Sequence, residues 1–201
     1  TQPGMIYAHA TELMKILLAD EYWNQACEIS DRREFNRRAD NFVKGILLEN
    51  IILSETYLWL QSIDKERYYV SQINVVLPES MQQVEADLVI ADTEAGEAHL
   101  FEIKFSDQQV EEQTKHLQNE EFISYVNQNF GTVKSRSVIY NGIDAEENGM
   151  KYINAETYLC RIHEMKLDRN AEFEKLLEVD AKADRKNEKA VKKAKEVSPK
   201  L

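Results

Sequence analysis

Residues 84–105 read VEADLVIADTEAGEAHLFEIKF, and this stretch decides the fold. Val84–Ala91 and Ala98–Phe105 are β-rich runs, and Asp92 to Gly96 between them supplies a turn. Side chains alternate across a strand, so Glu85 and Asp87 share one face, as do Glu102 and Lys104. Phe101, Ile103 and Phe105 take the other face. A hairpin symmetric about Glu94 and Ala95 sets Asp87 opposite Glu102 and Glu85 opposite Lys104. Like charges facing each other destabilise a strand pair. A divalent cation between Asp87 and Glu102 reverses that sign, because hard cations prefer carboxylate oxygens. Lys104, one pleat along, would orient a water or stabilise developing negative charge. The plain alternative is a solvated sheet face with an ordinary Glu–Lys cross-strand pair.

Upstream, Gly45-Ile46-Leu47-Leu48-Glu49-Asn50-Ile51-Ile52-Leu53 reads as helix. One helical turn either side of Glu49 stand Gly45, Ile46, Ile52 and Leu53, none able to pair with a carboxylate. If buried, Glu49 needs a partner from elsewhere in the fold.

The remaining elements follow the same logic. Residues 5–18 have Ile6, Leu13, Ile16 and Leu17 at helical spacing. Asp31 is placed to cap a second helical region running to about Leu60, with Phe35, Phe42, Val43, Ile46, Leu47 and Ile51 as apolar positions and Gly45 as a break. Tyr68 to Leu77 is a strand, residues 109–128 a polar helix, and Val133 to Tyr140 a strand followed by Asn141-Gly142. Lys151 to Asn154 reads as a short strand and Glu156 to Cys160 as a final helical turn. The order is helices, then β-β-β-α-β, an α/β core around a mixed sheet. The expected divisions are an N-terminal helical segment at 1–44, a core at 45–163 and a charged helical or disordered tail at 164–201.

With Glu49, Asp87 and Glu102-x-Lys104 in this order, the chain resembles the PD-(D/E)XK nuclease superfamily. Within it, the chain is similar to the nuclease-like C-terminal domain of bacterial and archaeal AAA-type ATPases. The resemblance covers about residues 1–163. It rests on Gly45 to Leu53, on Glu85-Ala86-Asp87 in place of Pro-Asp, and on Phe101-Glu102-Ile103-Lys104. Lys115-His116-Leu117, Val138 to Gly142 and Tyr152 to Leu159 support it. The resemblance implies a restriction-endonuclease-like α-β-β-β-α-β core and a Mg²⁺ or Mn²⁺ site. Its metal ligands would be Asp87, Glu102, the Ile103 carbonyl and Glu49 through water. Glu49, Asp87, Glu102 and Lys104 are the implied catalytic residues. DNA, the ATPase domain of a parent chain and a second copy of the chain are the implied partners. A catalytically inactive nuclease-fold module that mediates protein or nucleic-acid interaction is the alternative.

Composition bounds these readings. The chain has 201 residues and a net charge of −11, which argues against free-standing, charge-driven DNA binding. Residues 164–201 carry 11 basic and 9 acidic groups, so residues 1–163 hold the whole excess of acid. Any nucleic-acid role then needs a local basic groove, a metal or a partner. No apolar run is long enough for a membrane span. Two cysteines, Cys27 and Cys160, fit reduced thiols in a cytoplasm. No Gly-x-x-x-x-Gly-Lys-Ser/Thr loop occurs, so ATP is not expected to bind here. The Thr1 start predicts a piece of a longer protein. His9, His99, His116 and His163 lack zinc-ligand spacing. His116 is expected to pack or face solvent, and Gln113 to be a surface residue. Trp23 and Trp59 are expected to pack against helices or core. Arg32, Arg33, Arg37 and Arg38 are expected to pair with nearby acids.

Overall fold

The first element among the described residues is a helix without proline: α1, Ile29–Ile63, 35 residues long. The computed structural model describes residues 29–108, 114–167 and 173–179. The expected helix over 5–18, His9, Trp23, Cys27, Gln113 and residues 180–201 lie outside the described residues, as do the side chains of Asp31, Arg32 and Phe35. Helical spacing lets Glu34 pair with Arg37 and Arg38, each at 2.8 Å, and Asp40 pair with Lys44. Two expectations for this helix fail. Asp31 lies inside it rather than at its cap, and the helix runs unbroken through Gly45. Ile52, Thr56, Trp59 and Leu60 form its buried stripe, while Phe42 is 60% exposed and Ile51 lies at the surface.

Six strands follow: β1 Tyr68–Val76, β2 Gln83–Asp92, β3 Glu97–Lys104, β4 Thr132–Tyr140, β5 Ala145–Glu147 and β6 Met150–Asn154. They form one mixed sheet in the order β1-β2-β3-β4-β6-β5. β1, β2 and β3 are antiparallel neighbours, whereas β3-β4 and β4-β6 are parallel. The β2–β3 turn closes because the Asp92 carboxylate accepts the N–H groups of Glu94 and Ala95 and is held by Arg67 at 2.6 Å. Gly96 supplies the positive φ that the turn needs.

Helix α2, Glu120–Asn129, packs on one face of the sheet. Of the expected helix over 109–128, the described part is helical only from Glu120. Asn119 accepts the Phe122 N–H and caps α2, and Glu120 and Glu121 fill its first turn. Lys115–Gln118 is a turn instead, and residues 109–113 lie outside the described residues. Helices α1 and α3, Ala155–Leu167, cover the opposite face, joined by the hydroxyls of Thr56 and Tyr158 at 2.9 Å. α3 is longer than the expected turn over Glu156–Cys160.

Two further corrections concern the C-terminal third. Strand β5 pairs with β6 through a tight turn in which Asn148 and Gly149 have positive φ. The tail is also not wholly outside the core. Phe173–Leu177 forms a 3₁₀ helix, and Leu176 and Leu177 are buried beside Trp59 and Tyr158.

Candidate functional site

The hairpin register is the expected one, running from Asp92↔Glu97 to Leu88↔Phe101. There the regular pairing of β2 and β3 ends. On the other side of β2, pairing with β1 steps from Ser71↔Val89 to Ile73↔Ala86. Asp87 and Leu88 therefore face the single residue Gln72, which is a β-bulge. Its effect shows in packing: Val84 and Ala86 join the α2 side of the core, whereas Leu88 and Ile90 join the α1 side. Strict alternation across Val84–Ala91, as read from the sequence, thus breaks at Asp87.

The bulge gives the Asp87 carboxylate a defined task. Its Oδ2 accepts the Ile103 backbone N–H at 2.7 Å, replacing a strand-to-strand bond where β2 and β3 part. The N–H and C=O of one strand residue point to the same side. The Ile103 carbonyl therefore also faces this fork. β4 continues to pair with β3 through Lys104↔Tyr140, so the fork is backed by an intact parallel pair.

Lys104 closes the group. Its Nζ lies 2.7 Å from Glu102 Oε1 and 3.5 Å from Asp87 Oδ2. Glu102 is 4% exposed, and its other oxygen, Oε2, is buried with no hydrogen-bond partner. A buried, unsatisfied carboxylate oxygen is costly and calls for a ligand or a proton.

The electrostatics agree with that geometry. Burial, then the Asp87 charge, pushes the Glu102 carboxyl up to about 7 against the pull of Lys104. Glu49 is half-buried on α1, and burial followed by Asp87 and Glu85 pushes its carboxyl to about 7 as well. Burial tends to lower Lys104, but the charges of Glu102 and Asp87 outweigh it and leave the ammonium raised. Thus Asp87 and Lys104 act on both Glu49 and Glu102, across α1, β2 and β3. Glu85, which the sequence placed on the face of Asp87 and opposite Lys104, acts on both Glu49 and Glu102. His116 turns toward this end of the sheet, where its Nδ1 accepts the Glu85 backbone N–H at 3.4 Å.

Among the described residues, no three His, Cys, Asp or Glu side chains form a group able to hold a metal ion by themselves. The donor chemistry is nevertheless that of a hard cation: carboxylates, one of them with an orphaned oxygen, and a backbone carbonyl facing the same fork. Mg²⁺ is commonly held by one or two carboxylates with water completing its shell, so the set fits it. It lacks the thiolate and imidazole ligands of closed, structural Zn²⁺ sites.

The chain matches no family model, and no curated protein matches it. Among the described residues, no helix is long and apolar enough to cross a membrane.

Other sequence expectations separate clearly. Trp59 is fully buried against α3 and Phe173, so it is a packing residue. His99 is buried, its Nδ1 2.8 Å from Ser135 Oγ, and its ring meets Phe173. Cys160 is an exposed free thiol.

Proposed function

We propose that this chain is a metal-dependent phosphodiesterase domain acting on DNA, with a restriction-endonuclease-like core. The observation that carries the reading is the Asp87–Glu102–Lys104 group at the β2–β3 fork, with Glu102 Oε2 buried and unpartnered. Asp87 and Glu102 would hold Mg²⁺ or Mn²⁺, with the Ile103 carbonyl beside them and Glu49 reaching through water. When bound, the metal supplies Lewis acidity and a template for in-line attack on a phosphodiester.

The chain's own residues carry the remaining work. Asp87 fixes the backbone at Ile103, which sets the direction of Glu102 and Lys104 on either side. Lys104 holds its proton firmly and places positive charge where negative charge develops on the phosphate. Glu49, with its carboxyl near 7, is poised to accept a proton from an attacking water at neutral pH. The net charge of −11 favours DNA delivered by a partner, and the ATPase domain of a parent chain fits that role. A cytoplasmic setting and a homo-oligomer are part of the same proposal.

A second reading is a nuclease fold without catalysis, serving as an interaction module. The close Lys104–Glu102 pair favours it, because the ammonium already neutralises the carboxylate that a cation would use. Cleavage of single-stranded, double-stranded and branched DNA with Mg²⁺ or Mn²⁺ decides between them, with Lys104→Ala as the control. Metal-dependent cleavage lost in Lys104→Ala supports the nuclease. Metal binding without cleavage, also in a longer parent chain if one exists, supports the module.

A further inference from the structure

The sheet ends in two edges of opposite character. At one edge, β5 is three residues long and reads Ala145-Glu146-Glu147. Short length and charge both keep an edge strand from pairing with another chain. At the other edge, β1 is nine residues long and pairs only with β2 among the described strands. It reads YYVSQINVV, without a charge or a proline. Its outer row of N–H and C=O groups is a template for one more strand.

The helix beside this edge is equally neutral. Ile51–Ile63 of α1 carries one charged side chain, Glu55, and Lys166 pairs with it at 2.6 Å. In a chain with 30% charged residues, two adjoining elements so poor in charge have the composition of an interface core. Tyr57 is 47% exposed, Leu58 57% and Tyr69 53%. A groove of about 620 Å³ runs between the two elements, lined by Leu53, Tyr57 and Leu58 of α1 and by Val70 and Gln72 of β1. Edge and groove therefore form one continuous face.

Charge selects what covers it. The chain carries −11, so two copies repel unless they meet through uncharged surface. This face brings no unpaired charge to such a meeting. An antiparallel strand pair is also self-complementary, since a two-fold axis through the middle of a strand sets it against its own copy. We propose that the β1 edge and the Ile51–Ile63 face of α1 form the interface of a two-fold dimer of this chain. The axis passes near Gln72, the middle residue of β1, and stands across the sheet. Both α1 helices then lie on the same side of the joined sheet, where Tyr57 and Leu58 flank the seam. The joined sheet ends at both sides in the short, acidic β5, so assembly stops at two copies. This interface gives the proposed homo-oligomer its surface, and no part of it depends on the nuclease chemistry.

Sedimentation equilibrium of the full chain, up to about 0.1 mM, tests the proposal. Twice the monomer mass is expected. Raising NaCl to about 0.5 M should tighten the dimer, because screening weakens the repulsion between the two acidic chains and leaves uncharged contacts intact. Gln72→Lys sets two ammonium groups against each other at the axis, and Leu58→Glu adds like charges across the seam. Each should weaken the dimer about tenfold or more, whereas Ile143→Glu, an equally exposed position away from this face, should not. Backbone amides of Tyr69–Val75 should exchange more slowly as the wild-type concentration rises, and not in Leu58→Glu. A wild type that stays monomeric overturns the assignment, as does a dimer that both variants leave intact. Dimerisation only after removal of residues 1–28 would assign the face to that segment and overturn it too. A dimer that cleaves no DNA keeps the interface and loses the nuclease; a monomer that cleaves DNA does the reverse.

Discussion

The Asp87 carboxylate accepts the backbone N–H of Ile103 at 2.7 Å, so one side chain both ends a strand pair and opens the site. The two roles separate by substitution. Asp87→Asn keeps an acceptor for the N–H and should change stability by less than about 1 kcal/mol. Asp87→Ala orphans that buried N–H and should cost about 1–3 kcal/mol. Urea unfolding of both variants checks this. Equal losses would mean that the hydrogen bond contributes nothing.

Metal response should follow charge rather than hydrogen bonding. Asp87→Asn is expected to abolish stabilisation by Mg²⁺ or Mn²⁺ although its fold is intact. Lys104→Ala should retain that stabilisation, or strengthen it, because a nearby positive charge has gone. Turnover, if present in the wild type, should disappear from both. Thermal midpoints with and without metal, together with cleavage rates, test the separation. Identical metal responses in the wild type and Asp87→Asn would refute the shared site.

Stability should fall as pH rises through neutrality in metal-free protein. Burial pushes the Glu102 carboxyl up to about 7 in the folded protein, from an ordinary value of 4.5, so the folded state keeps its proton longer. The stabilising contribution is full below about 4.5 and is lost as pH rises through about 7. Glu49 acts in the same direction. Glu102→Gln should flatten the profile and raise the thermal midpoint at pH 8, by about 1–3 kcal/mol of stability. An unchanged slope between pH 5 and 8 would exclude this cause.

Removing residues after Leu167 should destabilise the chain, contrary to the expectation from composition. Leu176 is fully buried and Leu177 is 5% exposed. Losing both, with the Phe173 ring over Trp59, should cost several kcal/mol, at about 2 for each large apolar side chain. Ending the chain after residue 179 instead tests the remainder separately. A midpoint unchanged by truncation at 167 would show that the 3₁₀ helix contributes no stability.

Much of the fold was legible locally. Alternation marked β1 to β4, and the Asp92-to-Gly96 turn set the hairpin register without knowledge of any neighbour. Charge patterning also sufficed for the Glu34 pairs on α1, because helical spacing alone brings those groups together. Asn119 was a missed local signal: an Asn before two acids marks a helix start, and the polar run ahead of it obscured the boundary. Other features had no local signature. The bulge at Asp87 depends on how β1 lies against β2, and it decides which way each residue of that strand points. Leu176 and Leu177 sit in a Lys- and Glu-rich tail whose composition reads as solvated, and only the surface left between Trp59 and Tyr158 draws them in. The candidate carboxylates were named by residue type and order. Their raised pKa values and the orphaned Glu102 oxygen arise from burial, which is a property of the assembled layers and not of any single segment.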